Sequence, residues 1–149
     1  MAIKDRINDV SERFARYSNW EDKYKELINF GKDLNELPEA ECEEKFKVKG
    51  CQSQVWLKPS YSEGEVTFKA NSDAVLVKGL VALIVKVYSG AKPQEIIETP
   101  PTFLKELGIT EHLSMNRTNG LASMIKQVQM YAFAYKSLSD RGVMNADSL

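Results

Sequence analysis

Ile3, Ile7, Val10, Phe14 and Tyr17 recur at alternating steps of four and three with charged residues between them, which predicts an amphipathic helix at the start of the chain. Ser18 with Glu21 three residues later predicts a capping box, and Trp20, Tyr24, Leu27 and Ile28 carry the helical period into a second helix. Gly31 suits the left-handed position just past a helix end, and Pro38 punctuates the segment after it. The acidic run EAECEEK is open to helix or loop. From Phe46 the period drops to two: FKVKG and QVWLK alternate around Gly50-Cys51, and EVTFKA does so after the turn signal SEG. This predicts a small, mostly antiparallel sheet of about three strands. Asn71, Ser72 and Asp73 then offer capping side chains before an apolar run to Tyr88, closed by Gly90. Its length, cap and closing glycine predict a helix despite the valines, buried against the sheet. Pro93 and the Pro100-Pro101 pair each open a short helix, the second ended by Gly108. Leu121, Met124, Ile125, Val128, Tyr131, Ala132 and Tyr135 trace a last helix, with Asn116, Thr118 or Asn119 as its cap and a polar tail from Ser139 expected to fray. The sum is one α+β domain over residues 1–149, with helices to about residue 37, a sheet with a cysteine loop over about 45–71 and a helical remainder over about 73–138.

Composition narrows the function classes. The 43% hydrophobic and 28% charged content is that of a chain with a real core. With 20 basic against 21 acidic side chains the net charge is -1, which supplies no field toward phosphate backbones, so nucleic acid is not an expected partner. The uncharged stretch 79–85, closed by Lys78 and Lys86, is far short of the ~20 residues of a membrane span. The first ten residues scatter acids among apolar positions, unlike a secretory signal, and a cytoplasmic location is expected.

Absences direct attention to thiols. One histidine and two cysteines cannot close a zinc site without carboxylates, and phosphate-cradling glycine motifs and the hydrolase G-x-S-x-G are missing. Cys51 follows Gly50 between two alternating segments, which puts its thiol on a turn. On the residues alone, two readings stay open: a small buried hydrophobe or a reactive thiol. Cys42 sits amid Glu41, Glu43 and Glu44, whose charge disfavours a thiolate, so an inert thiol is expected there. Trp56 reads most simply as core. Lys45, Lys47, Lys49 and Lys58 read as a solvated strand face whose neutralisation leaves partner association unchanged, although a docking role is the alternative.

Four segments carry a family resemblance: NWEDKYKELINFGKDLNELP (19–38), GCQSQVWL (50–57), SDAVLVKGLVALIV (72–85) and HLSMNRTNGL (112–121). In this order they resemble the SufE family of sulfur acceptors in iron–sulfur cluster assembly. The first eighteen residues, the C-terminal tail and Met115-Asn116 depart from the family pattern. The resemblance implies a SufE- and IscU-like α+β fold and a carrier rather than an enzyme, without a cofactor of its own. It implies a SufS/CsdA-like cysteine desulfurase as donor, carrying pyridoxal phosphate, and a SufBCD-like scaffold as recipient. A homodimer is compatible with it.

The resemblance places persulfide acceptance on Cys51. The attacking group must be a thiolate, of which an ordinary cysteine supplies only a few per cent at neutral pH. Arg117 is therefore the candidate cation, with a surface or capping role as its alternative. Gln52 and Ser53 are candidates to hold the Gly50-Cys51 loop through backbone hydrogen bonds, and Asp73 reads as helix cap or loop anchor. His112 has the right intrinsic pKa for a base but fits an ordinary helix end, and direct catalysis by it is not expected. A loop that shelters the thiol and releases it on docking is expected over residues 50–53. Competing classes are a thiol-dependent sulfurtransferase or peroxidase working through Cys51, a cluster scaffold with too few ligands to act alone, and an interaction domain with an inert Cys51.

Overall fold

In the computed structural model the periodic apolar positions at the start of the chain form helix α1 (Ile3–Ala15), with Ile3, Val10 and Phe14 buried. The structure describes residues 2–146; Met1 and residues 147–149, the extreme ends of the expected domain and of its polar tail, lie outside the described residues. Arg6 reaches across to the end of a later helix and donates to the carbonyls of Val87, Ser89 and Gly90.

Helix α2 (Trp20–Asp33) is capped one residue later than the expected Ser18, because Asn19 Oδ1 accepts from the Asp22 amide at 2.9 Å. Glu26 on α2 is buried and accepts from Arg13 of α1 and from the Tyr17 hydroxyl. Burial works to raise the Glu26 carboxyl, and the two hydrogen-bond donors overcome it and hold the group below its usual range. The expected stop at Gly31 is a correction: Gly31 lies buried inside α2, where a Cβ would come within 3.2 Å of the Gly79 nitrogen. Its small size serves a helix crossing and not a left-handed turn.

The acidic run forms 3-10 turns at Glu39–Glu41 and Glu44–Phe46. Strands β1 (Val55–Ser62) and β2 (Glu65–Ser72) pair antiparallel from Val55↔Ser72 to Ser62↔Glu65. Their connection at Glu63-Gly64 has φ of 53° and 79°, the positive pair that a two-residue hairpin loop demands. Val55, Leu57, Pro59 and Tyr61 alternate into the core opposite Val66, Phe68 and Ala70. The sheet has two strands where about three were expected. The segment before Gly50 keeps the alternation, with Phe46 and Val48 buried, but the turn at Glu44–Phe46 and Gly50 (φ 91°) limit it to one bridge, Lys47↔Trp56. The other edge is covered by Leu37, whose amide donates to the Ala70 carbonyl at 2.9 Å.

The valine-rich run is helix α3 (Val75–Tyr88), apolar nearly all round because α2 packs on one side of it and β2 on the other. Its cap position is Ala74, with no side-chain cap, and Asp73 points its carboxylate to the cysteine loop instead. Short helices α4 (Pro93–Ile97) and α5 (Thr102–Glu106) come next, with Gly108 (φ 73°) beyond the second. Helix α6 (Met115–Asp140) begins earlier than expected: Ser114 is its cap, its Oγ accepting from the Arg117 amide at 3.3 Å, and Asn116, Thr118 and Asn119 lie inside the helix. Over residues 141–146 the tail is held by contacts and is not frayed as expected. Gly142 (φ 78°) turns the chain back, the Tyr61 hydroxyl donates to the Val143 carbonyl at 2.7 Å, and the Ala146 amide donates to the Tyr61 carbonyl. No helix among the described residues is long and apolar enough to cross a membrane.

Candidate functional site

Gly50 brings the chain to α6 with its positive φ and its lack of a side chain, since a Cβ there would meet Ser123 Oγ at 2.6 Å. The next residue, Cys51, turns its half-buried thiol beneath α6, where Sγ donates to the Gly120 carbonyl at 3.5 Å. Gly120 is buried, and a Cβ on it would sit 3.3 Å from the sulfur. Beside the thiol is a small cavity of about 50 Å³, walled by Val77 and Leu80 from α3 and by Arg117, Gly120 and Met124 from α6. Burial alone pushes the Cys51 thiol above its ordinary pKa, so in this conformation it holds its proton.

The structure gathers part of the expected set. Gly50, Gln52, Ser53 and Arg117 lie at or in the wall of the cysteine cavity. Arg117 stands in the first turn of α6, but its charge does not offset the desolvation of the sheltered thiol. Gln52 and Ser53 do not hold the loop: neither side chain makes a hydrogen bond among the described residues. The hold comes one residue later. The Gln54 amide donates to Asp73 Oδ1 at 3.0 Å, and Ser72 Oγ donates to the Gln54 carbonyl at 2.8 Å. Asp73 is thus the anchor of the cysteine loop and not the cap of α3; its short acceptor reaches back to an amide that the loop leaves unpaired.

His112 is outside the site. It stacks on Trp20 with ring centroids 4.9 Å apart. Trp56 is half-buried on the outer face of β1, beside Cys42 and Asp73, so its expected place in the core is corrected: period two sends Val55 and Leu57 inward and Trp56 outward. Cys42 is held above its ordinary pKa by burial first and then by Glu39 and Glu41, which agrees with an inert thiol although the acids are not the three expected. Gly120 and Gln54 escaped sequence reasoning. A glycine in the middle of a helical pattern was the available signal for the first, since it costs helix stability unless something must approach closely.

Among the described residues no three His, Cys, Asp or Glu side chains converge as a metal site. The SufE family model, described as an Fe-S metabolism associated domain, matches residues 8–132. An uncharacterized SufE-like protein of Rhizobium meliloti is 40% identical over 133 residues, spanning 85% of this chain and 94% of the relative. Another, from Synechocystis, is 36% identical over 127 residues, spanning 85% and 80%. A solution structure of a hypothetical protein from Thermus thermophilus superposes with a TM-score of 0.74 at 20% identity, covering 89% of this chain and 96% of that one, and shares the fold. The segments flanking and forming the thiol cavity fall within the matched residues, and the chain belongs to the SufE family, whose domain is associated with iron–sulfur metabolism.

Proposed function

We propose that this protein accepts sulfur on Cys51 from the persulfide of a cysteine desulfurase, activates that enzyme by clearing its product, and passes the sulfur to an iron–sulfur cluster scaffold. The observation that carries the reading is the small cavity beside a half-buried thiol on a glycine-led loop. In the transfer, the Cys51 thiolate attacks the outer sulfur of the donor persulfide, a sulfur–sulfur bond breaks, a new one forms on Cys51, and the donor cysteine leaves as its thiolate. No net oxidation occurs. The pyridoxal phosphate chemistry belongs to the donor, and this chain acts as carrier, one sulfur for each encounter.

Because burial keeps the resting thiol protonated, the reading requires the loop to leave the cavity when the donor docks. Arg117, at the cavity wall, is then the cation placed to favour the thiolate. A peroxidase reading is served less well, since it wants a thiolate in the resting protein. Intact mass spectrometry after incubation with a cysteine desulfurase and free cysteine tests the proposal. One or more reductant-labile sulfur atoms are expected on the wild type and on Cys42→Ser and none on Cys51→Ser. Loading of Cys51→Ser equal to wild type overturns it.

A further inference from the structure

Lys47 and Lys49 flank buried Val48, Lys45 stands in the 3-10 turn just before them, and all three side chains line one cleft. Helix α6 runs past it and adds Lys126. The cleft is open, with a volume of about 690 Å³, and Glu44 is its acid among the described residues. Lys58, Lys78 and Lys136 each have a carboxylate partner, Glu41, Glu36 and Asp140. Among the described residues none of the four cleft lysines is ion-paired. Four lysines against the one carboxylate of Glu44 leave the cleft with a net positive charge, which favours an anionic ligand.

Two further observations define the anion. Met130 closes the cleft at 58% exposure, and Phe133, one turn on along the same face of α6, is 60% exposed. A ligand suited to the whole face therefore carries carboxylates at one end and an apolar side chain at the other. Inorganic phosphate or a duplex backbone satisfies the lysines and leaves Met130 and Phe133 with nothing to bury, and the net charge of -1 gives no overall field toward a single strand. The cleft also adjoins the thiol loop through Ser123, which lines the cleft and confines Gly50.

We infer that this cleft docks an acidic segment with an apolar anchor on the protein that delivers sulfur to Cys51, and so aligns that protein with the cysteine loop. The inference deepens the carrier reading by stating what the donor's surface must present, and it reverses the expectation that Lys45, Lys47 and Lys49 are merely solvated. Lys58, engaged by Glu41, is outside it.

The test pairs a peptide titration with a loading assay. The isotope-labelled protein is titrated with a synthetic peptide of six glutamates around one leucine, in wild type, in the cleft variant (Lys45, Lys47, Lys49 and Lys126 all to Gln) and in a control variant of equal charge change (Lys4, Lys25, Lys69 and Lys92 to Gln). Amide shifts are expected over residues 44–49 and 123–133, with affinity about tenfold weaker in the cleft variant and little changed in the control. In sulfur loading by a cysteine desulfurase, the cleft variant is expected to need about tenfold more protein for half-maximal rate, with the limiting rate kept. Shifts dispersed over the surface, equal weakening in both variants, or tighter cleft binding of a single-stranded oligonucleotide of equal charge overturns the inference. Normal half-saturation of the cleft variant overturns it while the carrier reading stands. If the wild type takes no sulfur but the peptide behaves as expected, the carrier reading fails and the acidic-segment site stands.

Discussion

Gly120 and Cys51 meet so closely that a single methyl group decides where the sulfur can be. A Cβ at Gly120 would stand 3.3 Å from Sγ, tighter than an ordinary contact, and the thiol has the open side of its loop as its way out. In Gly120→Ala the helix gains propensity and the thiol loses its place. The expected outcome is a Cys51 alkylation rate at neutral pH raised several-fold, of order threefold or more, with its pH midpoint moved down toward the ordinary thiol value near ~8.5. In the wild type that midpoint is expected to lie higher, and unfolding in urea brings it back. Since the folded thiol keeps a proton that the unfolded thiol has already released, Cys51 makes folding less favourable as pH rises through that window. Iodoacetamide kinetics against pH on both proteins check this. The position of Cys51 on a turn was legible from the glycine before it between alternating segments, while its choice between a buried hydrophobe and a reactive thiol was not, and the acceptor role came from the resemblance alone. The shelter of the thiol was not legible either, because the wall is supplied by residues 77–80 and 117–124, and nothing local to Cys51 specifies them.

Among the elements, α2 and α3 touch backbone to backbone. At Gly79 a Cβ would lie 2.3 Å from the Leu27 carbonyl oxygen, a clash with main chain that no rotamer relieves, whereas at Gly31 the nearest approach is 3.2 Å. Gly79→Ala is therefore expected to lose about 2–3 kcal/mol of stability and Gly31→Ala less than half of that, read from urea midpoints. The same pair shows why the end of α2 was not legible. Glycine past a helix end and glycine at a helix crossing are one letter in the sequence, and only the position of the partner helix separates them. The sheet shows the converse: alternation through residues 46–49 correctly gave which side chains are buried, while pairing failed for want of a continuous extended backbone. The caps of α2 and α6 lie one residue and at least two residues from the expected positions, because Ser, Asn and Thr compete at each start and loop geometry decides which side chain wins.

Over the whole molecule, the α+β character and the order of the elements were legible from periodicity, and the closures between distant segments were not. The tail is one such closure. Tyr61, fully buried and stacked on Tyr135, gives its hydroxyl proton to Val143, and the hairpin turn takes contacts from Met144 and Asn145. Removing residues 141–149 leaves that phenol without its acceptor and opens the hairpin end, with an expected loss of about 2 kcal/mol. Chemical denaturation measures it; an unchanged midpoint would mean that the tail merely lies on the surface. The other closure is Arg6, whose guanidinium grips carbonyls up to 84 positions further along. Synthesis runs from the N-terminus at about 5–20 residues per second, so on the order of 4–17 s separates the appearance of this arginine from that of its acceptors. For that interval α1 has α2 to lie against, through the stack of Phe14 on Phe30, but not α3, so its apolar face stays incompletely covered and open to a chaperone until Gly90 has been made.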